Sequence, residues 1–467
     1  MLAICCLSLF IVGMDATIVN VALPSIQKAM DASVSGLQWA VASYSLVLAS
    51  LLILGGSSAD RFGRVRIFRT GLCVFTLASI GCAFSPDTTW LIVFRMLQGV
   101  GASMLNPVAM SIIRNIFTDP AERARAIGMW AAVFGLSMAL GPIIGGFLTE
   151  LDWRAVFLVN VPIGILAFVL TGMFIPESKA TRFRRPDPIG QVLAFVLLAT
   201  LTGSLIEGPN LGWDSTWVIA AALVAATALV AFVRHELRRS EPLIELRFFR
   251  SRPFTMATVT AILAFGAFSG FMFVNTLYLQ DGRGFSPIEA GLSLVPMALA
   301  TMIAGPVSGR LVASRGVRLP LMAGGAAMVV AGILLVPLAE NTSLVWLYGA
   351  YAVFGLGFGL VNPPITNTAV SGMPASQAGV AAAVASTSRM VGQTLGVAVI
   401  GGLVTAAANG PLRDQIVDAS QPAWWLVVAL SGAIILLGYL SSTPEALGTA
   451  RKTAARFEIG EGEVPSP

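Results

Sequence analysis

Long apolar segments recur along this chain at a spacing that leaves room for little except a path threaded repeatedly through a bilayer. Fourteen can be marked, at 2–24, 36–58, 67–85, 88–113, 122–148, 153–175, 187–207, 215–235, 252–279, 287–311, 317–338, 343–370, 377–408 and 423–442. Each is close to the roughly 20 residues a helix needs to cross the hydrocarbon. Within that layer the backbone must satisfy its own hydrogen bonds, so an all-α polytopic membrane fold is expected.

Charge supports the same reading. Only 11% of the residues are charged, against about 25% in soluble domains. The stretches 59–69, 114–125, 176–187, 234–252 and 310–318, with the C-terminal tail, hold 23 of the 29 Lys and Arg. The opposite set of loops holds Lys28, Arg154, Arg283 and Arg413, and Arg95 and Arg389 lie within segments. Basic residues gather on the cytoplasmic side, so both termini are expected there. The basic excess is therefore a topology signal rather than a nucleic-acid surface. Arg outnumbers Lys 26 to 3, a composition in keeping with a GC-rich bacterial genome.

Cys5, Cys6, Cys73 and Cys82 fall in apolar runs without metal-ligand spacing and read as small hydrophobes. The single histidine, His235, is placed in a basic loop. A multi-histidine metal site or a haem pair is thereby excluded, and no cluster of nucleophile, base and metal ligand marks an enzyme. No charge ring or filter repeat marks a channel. No basic stretch precedes the first apolar run, so a cleaved signal peptide is not expected.

The chain repeats itself. Gly99-Val-Gly101 with Asn106-Pro107 is echoed by Gly355-Leu-Gly357 with Asn362-Pro363. Pro120–Ala124 is echoed by Pro374–Ala378, and Gly56 with Gly63 by Gly309 with Gly316. The offsets all fall between 253 and 256 residues. This predicts a six-helix bundle over 1–175, two additional helices with their linkers over 176–249, a second bundle over 250–445 and a cytoplasmic tail over 446–467. Repeated bundles with a binding site between them are the architecture of secondary transporters.

Four stretches carry chemistry. The run Asp15-Ala-Thr-Ile-Val-Asn20-Val-Ala-Leu-Pro24 puts a carboxylate at bilayer depth, which costs at least about 2.5 kcal/mol and by default marks function. Its alternatives are a structural bond to a neighbouring helix, or a helix that starts later. Arg95, followed by Gln98-Gly99-Val-Gly101, lies at an overlapping depth and can meet Asp15 or snorkel outward along its stem. In Gly56–Arg66, Asp60, Arg61 and Arg64 around Gly63 can form a charged latch, one-sided because Ala313 holds the acid's place in the echo. Gly141-Pro142-Ile-Ile-Gly145-Gly146 predicts a bendable, closely packed helix.

Together these stretches resemble the major facilitator superfamily, specifically its fourteen-helix drug–proton antiporter branch. The likeness covers nearly the whole chain. Residues 15–24 are similar to that branch's helix-one motif, 56–66 to motif A, 95–102 to motif B and 141–146 to motif C. Leu277–Gln280, Ala290–Leu292 and Arg389 to Ala398 are similar to its second half. Ser58, Ser137, Met390 and Gln393 depart from the usual pattern. The resemblance implies proton coupling through Asp15 and Arg95, a conformational latch at Asp60, Arg61, Gly63 and Arg64, and an antiporter hinge at Gly141, Pro142, Gly145 and Gly146. Asn20, Gln98, Glu207, Gln280 and Arg389 are candidates for the substrate cavity; Glu207 could equally be a loop carboxylate, and Arg389 an anchor between helices.

The expected function is export of amphipathic compounds, cationic ones among them, in exchange for protons by alternating access. The alternative is export of a lipid, an endogenous metabolite or an antibiotic by the same machinery. No cofactor, metal or nucleic-acid partner is expected, the proton gradient supplies the drive, and the protein is expected to act as a monomer.

Overall fold

The computed structural model describes residues 1–179, 187–239, 241–371, 373, 377–408 and 412–462, and among them there are helices and no strand. The first bundle holds α1 (Leu2–Met30), α2 (Val34–Phe62), α3 (Arg64–Ala83), α4 (Thr88–Ser103), α5 (Asn106–Ile116), α6 (Pro120–Leu151), α7 (Ala155–Leu158) and α8 (Asn160–Phe174). A hairpin of α9 (Pro188–Leu211) and α10 (Thr216–Arg238) follows. The second bundle holds α11 (Arg252–Leu277), α12 (Pro287–Ser293), α13 (Val295–Arg315), α14 (Arg318–Leu335), α15 (Leu344–Val370), α16 (Ala378–Ala407), α17 (Leu412–Ala419) and α18 (Gln421–Ser441), and α19 (Pro444–Gly462) closes the chain.

Among the described residues thirteen helical spans are long and apolar enough to cross a membrane. The remaining one of the fourteen is α6, 32 residues long and apolar from Gly135 to Leu151. Several segments are interrupted or extended relative to their apolar runs. The segment at 88–113 breaks between α4 and α5, where Pro107 stands in the first turn of the new helix and lacks the N–H that would have continued the old one. The first helix does not stop at Pro24 but runs to Met30. Pro24 removes one donor from the ladder, and nearby the Val21 carbonyl accepts from Gln280 Nε2 of the other bundle. His235, expected in a loop, lies inside α10.

The internal repeat is a repeat of contacts. Gly99 lies against the Tyr44 carbonyl on α2, and Gly355 against the Met297 carbonyl on α13. Gly101 lies against Phe75 on α3, and Gly357 against Gly324 and Met328 on α14. At each of these positions a Cβ would meet backbone atoms, so small residues set the distance between helices. The Pro374–Ser376 part of the repeat lies outside the described residues.

The bundles join along α2 with α16, α1 with α11, and α6 with α12 and α13. Helix α9 packs on both α2 and α16, so the additional hairpin sits across that seam. The joint between α6 and α12 lies near the ends remote from the chain termini: a Cβ on Gly146 would stand 2.5 Å from the Pro287 carbonyl and 2.9 Å from Ile288 Cα. Gly305 and Gly309, nearer the other end of α13, have nothing within 4 Å of where a Cβ would be. The two bundles are thus closed on the face remote from the termini.

Candidate functional site

Asp15 sits near the middle of α1 with 0% of its surface exposed, and Arg95 on α4 is 1% exposed. Arg95 Nη1 donates to Asp15 Oδ2 at 2.5 Å. Removing two charges from water costs several kcal/mol for each, and the pair survives only if further hydrogen bonds support it. Several do. Asp15 Oδ1 accepts from Asn160 Nδ2 at 2.9 Å and from Gln98 Nε2 at 3.3 Å. Arg95 Nε donates to the Ala40 carbonyl at 3.0 Å, Nη1 also donates to Gln98 Oε1 at 2.9 Å, and the guanidinium lies 4.4 Å from the Tyr44 ring centre. Gln98 Nε2 also donates to Ser79 Oγ at 2.7 Å, and Cys82 Sγ donates to Gln98 Oε1 at 3.3 Å.

Local sequence explains why these groups can meet. Gly99 brings α4 against the α2 backbone, so the neighbouring turn of α4 delivers Arg95 to Ala40 and Tyr44. The break between α7 and α8 starts a new helix at Asn160, whose amide reaches α1. The network therefore ties α1, α2, α3, α4 and α8 around one carboxylate. Gln98, a candidate for the cavity wall, is wholly buried inside it. Asn160, Tyr44 and Ser79 belong to no motif in the sequence, and Cys82, which reads there as a small hydrophobe, donates a hydrogen bond; of these, Asn160 is detectable as an amide within an apolar run.

The other polar candidates are dispersed. Asn20 Nδ2 bonds carbonyls of its own helix, and its Oδ1 is buried without a partner. Glu207 stands within α9 rather than in a loop and accepts from Trp39 Nε1 at 2.9 Å. Arg389 donates to Thr366 Oγ1 and faces the Phe265 ring, within the second bundle. No acid lies in ion-pair distance of Arg389 among the described residues. Among the described residues the second bundle carries no counterpart to the charged pair: Phe271 stacks on Phe354 at 4.2 Å and Phe268 on Phe358 at 4.4 Å.

The glycine run on α6 faces two ways. Gly141 and Gly145 lie against Thr17 and Ile18 of α1, while Gly146 lies against α12 and the Pro142 carbonyl abuts Gly291. The helix containing Asp15 thus packs on α6, which meets the second bundle, and α1 itself touches α11 of that bundle. In the last turn of α2, where a loop was expected, Asp60 Oδ1 accepts from Arg64 Nη2 of α3 at 3.0 Å, and Arg61 lies over the Phe62 ring. Gly63 turns the chain at φ +116°, where a side chain would be strained. There Glu177 caps α3, accepting from the amides of Val65 at 3.0 Å and Arg66 at 3.1 Å. At the same face Asp187 caps α9 and binds His235 at 2.9 Å and Arg239 at 3.3 Å, which pins α10 to α9.

Two repeated helix bundles that meet along one seam, the first of them built around a buried ion pair, define a membrane transporter. Residues 5–397 match the Major Facilitator Superfamily. The chain is 36% identical over 411 residues to multidrug resistance protein Stp of Mycobacterium tuberculosis, covering 88% of this chain and 76% of that one. It is 34% identical over 417 residues to the tetracenomycin C resistance and export protein of Streptomyces glaucescens (88% and 77% covered). It is 35% identical over 396 residues to the methylenomycin A resistance protein of Streptomyces coelicolor (83% and 82%). Among solved structures, a bacterial homologue of the human lysosomal transporter Spinster, inward-facing and occupied, superposes with a TM-score of 0.66 at 16% identity over 97% of both chains. The chain belongs to the Major Facilitator Superfamily and is a multi-pass membrane transporter whose relatives are drug-efflux and antibiotic-resistance proteins.

Proposed function

We propose that this protein exports amphipathic compounds, cationic ones among them, from a bacterial cell in exchange for protons, with both termini in the cytoplasm. The observation that carries the coupling is the Asp15–Arg95 pair, because α1 belongs both to the charge network and to the seam between the bundles. Protonating Asp15 would remove the charge that Arg95, Gln98 and Asn160 now hold. Arg95 would then be left buried beside a neutral acid, an arrangement that costs several kcal/mol unless the helices move. Moving α1 disturbs its packing on α6 and the bond from Gln280 to Val21. Proton binding and opening of the remote face are thus linked through one helix, and substrate taken up from the cytoplasmic side would drive the reverse step. The protein needs no cofactor for this and acts as a monomer.

The likeness to a tetracenomycin C resistance and export protein and to a methylenomycin A resistance protein favours a second reading of the cargo, an antibiotic. The experiment for the coupling is reconstitution in liposomes with an imposed pH gradient and a cationic dye. Asp15→Asn should insert and fold but lose gradient-driven accumulation, while Asp15→Glu keeps part of it. Undiminished accumulation by Asp15→Asn under a pH gradient alone would show that the coupling lies elsewhere.

A further inference from the structure

On the arginine-rich face a cavity of about 520 Å³ opens between α3 and α8, outside both the charge network and the seam between bundles. Its polar end is formed by Arg66, Arg69 and Thr70 in the first turns of α3. Its walls are Cys73 and Val74 higher on α3, and Phe168 on α8. Gly172 leaves room for the Arg69 guanidinium to lie flat on α8, 4.2 Å from the Phe168 ring centre. Arg69 Nε is buried there without a hydrogen-bond partner. No carboxylate among the described residues forms an ion pair with Arg66 or Arg69. Glu177 also lines the cavity, but its oxygens accept the backbone amides of Val65, Arg66 and Ser178.

Two guanidiniums without acid partners, one held rigid by an aromatic ring, form a site for a phosphate group. The apolar walls identify what the phosphate is attached to. One turn beyond Cys73 and Val74, α3 exposes Leu77, 62% exposed, and α8 exposes Ile165, Val169 and Met173. This surface is the belt that meets lipid tails, and basic pockets at the cytoplasmic end of such belts attract anionic headgroups. We propose that this groove binds one anionic phospholipid, its phosphate on Arg66 and Arg69 and an acyl chain along α3 and α8. A bound lipid would brace the two helices whose ends meet through Glu177.

The test follows thermal unfolding of the purified, delipidated full-length protein in neutral detergent. Phosphatidylglycerol, phosphatidylcholine or inorganic phosphate is added at matched concentrations. A ligand that binds the folded form raises the transition, and phosphatidylglycerol should do so at least about threefold more than either of the others. The excess should vanish in the Arg66→Gln/Arg69→Gln double variant and persist in Arg310→Gln, which removes an arginine elsewhere on that face. Cys73→Trp, which fills the groove without touching the arginines, should also abolish it and stands in if the double variant does not fold. An equal rise with phosphatidylcholine, the whole rise with phosphate alone, or an undiminished excess in Cys73→Trp would overturn the proposal.

Discussion

The Gln280 amide donates to the Val21 carbonyl at 2.7 Å, and this bond crosses from one bundle to the other at the face remote from the termini. It sits on a short π-helical turn, Tyr278–Gly282, that ends the first helix of the second bundle. Gln280→Leu should fold and insert. A neutral hydrogen bond contributes about 0.5–1.5 kcal/mol net, so the ratio of conformations open and closed at that face should shift roughly two- to tenfold. Labelling a cysteine placed at Val21 or Pro287 from the outside should quicken accordingly. Unchanged labelling would mean that the bond does not hold the seam.

A side chain at Gly146 would be driven into the backbone at Pro287 and Ile288. Gly146→Leu should therefore prevent closure of the remote face while leaving each bundle intact. Transport should fall to background, with surface expression and binding of a fluorescent substrate from the outside retained. Normal transport by this variant would show that the close approach is not part of the cycle.

Glu177 holds the loop after α2 through amides of α3. Glu177→Gln keeps the shape but replaces charge-assisted bonds, each worth about 1.5–3 kcal/mol, with weaker ones. The variant should unfold at a lower temperature and transport more slowly, and Glu177→Ala should do worse. Equal behaviour of Glu177→Gln and the parent would show that shape alone suffices.

Burial raises the pKa of Asp187, but the Gly190 amide, His235 and Arg239 together bring it below the ordinary carboxylate value. A depressed folded pKa means that the contribution is present above the unfolded value of about 3.9 and fades as the pH falls through the folded one. Asp187→Asn should accordingly loosen the α9–α10 hairpin at neutral pH, read as faster hydrogen exchange at its arginine-rich end. The difference from the parent should close below about pH 4. A difference that stays constant down to about pH 3 would assign the role to the cap's shape rather than its charge.

Sequence by itself determined that this chain folds as membrane helices and that Asp15 and Arg95 are the ionisable groups to explain. Both conclusions follow from solvation: apolar length and isolated charge have the same cost wherever the chain goes. The helix repeat was also legible, because small residues recur wherever helices must approach closely. Tertiary structure alone decided which groups share the carboxylate. Asn160 lies 145 residues from Asp15 and Ser79 meets it only through Gln98, so no spacing along the chain reports either contact. It also decided that Glu207 binds Trp39 from within a helix, that α1 passes through Pro24, and that Glu177 joins Asp60 in holding the start of α3. These depend on how bundles meet, and a hydrogen bond between distant segments exists only once packing has set their distance.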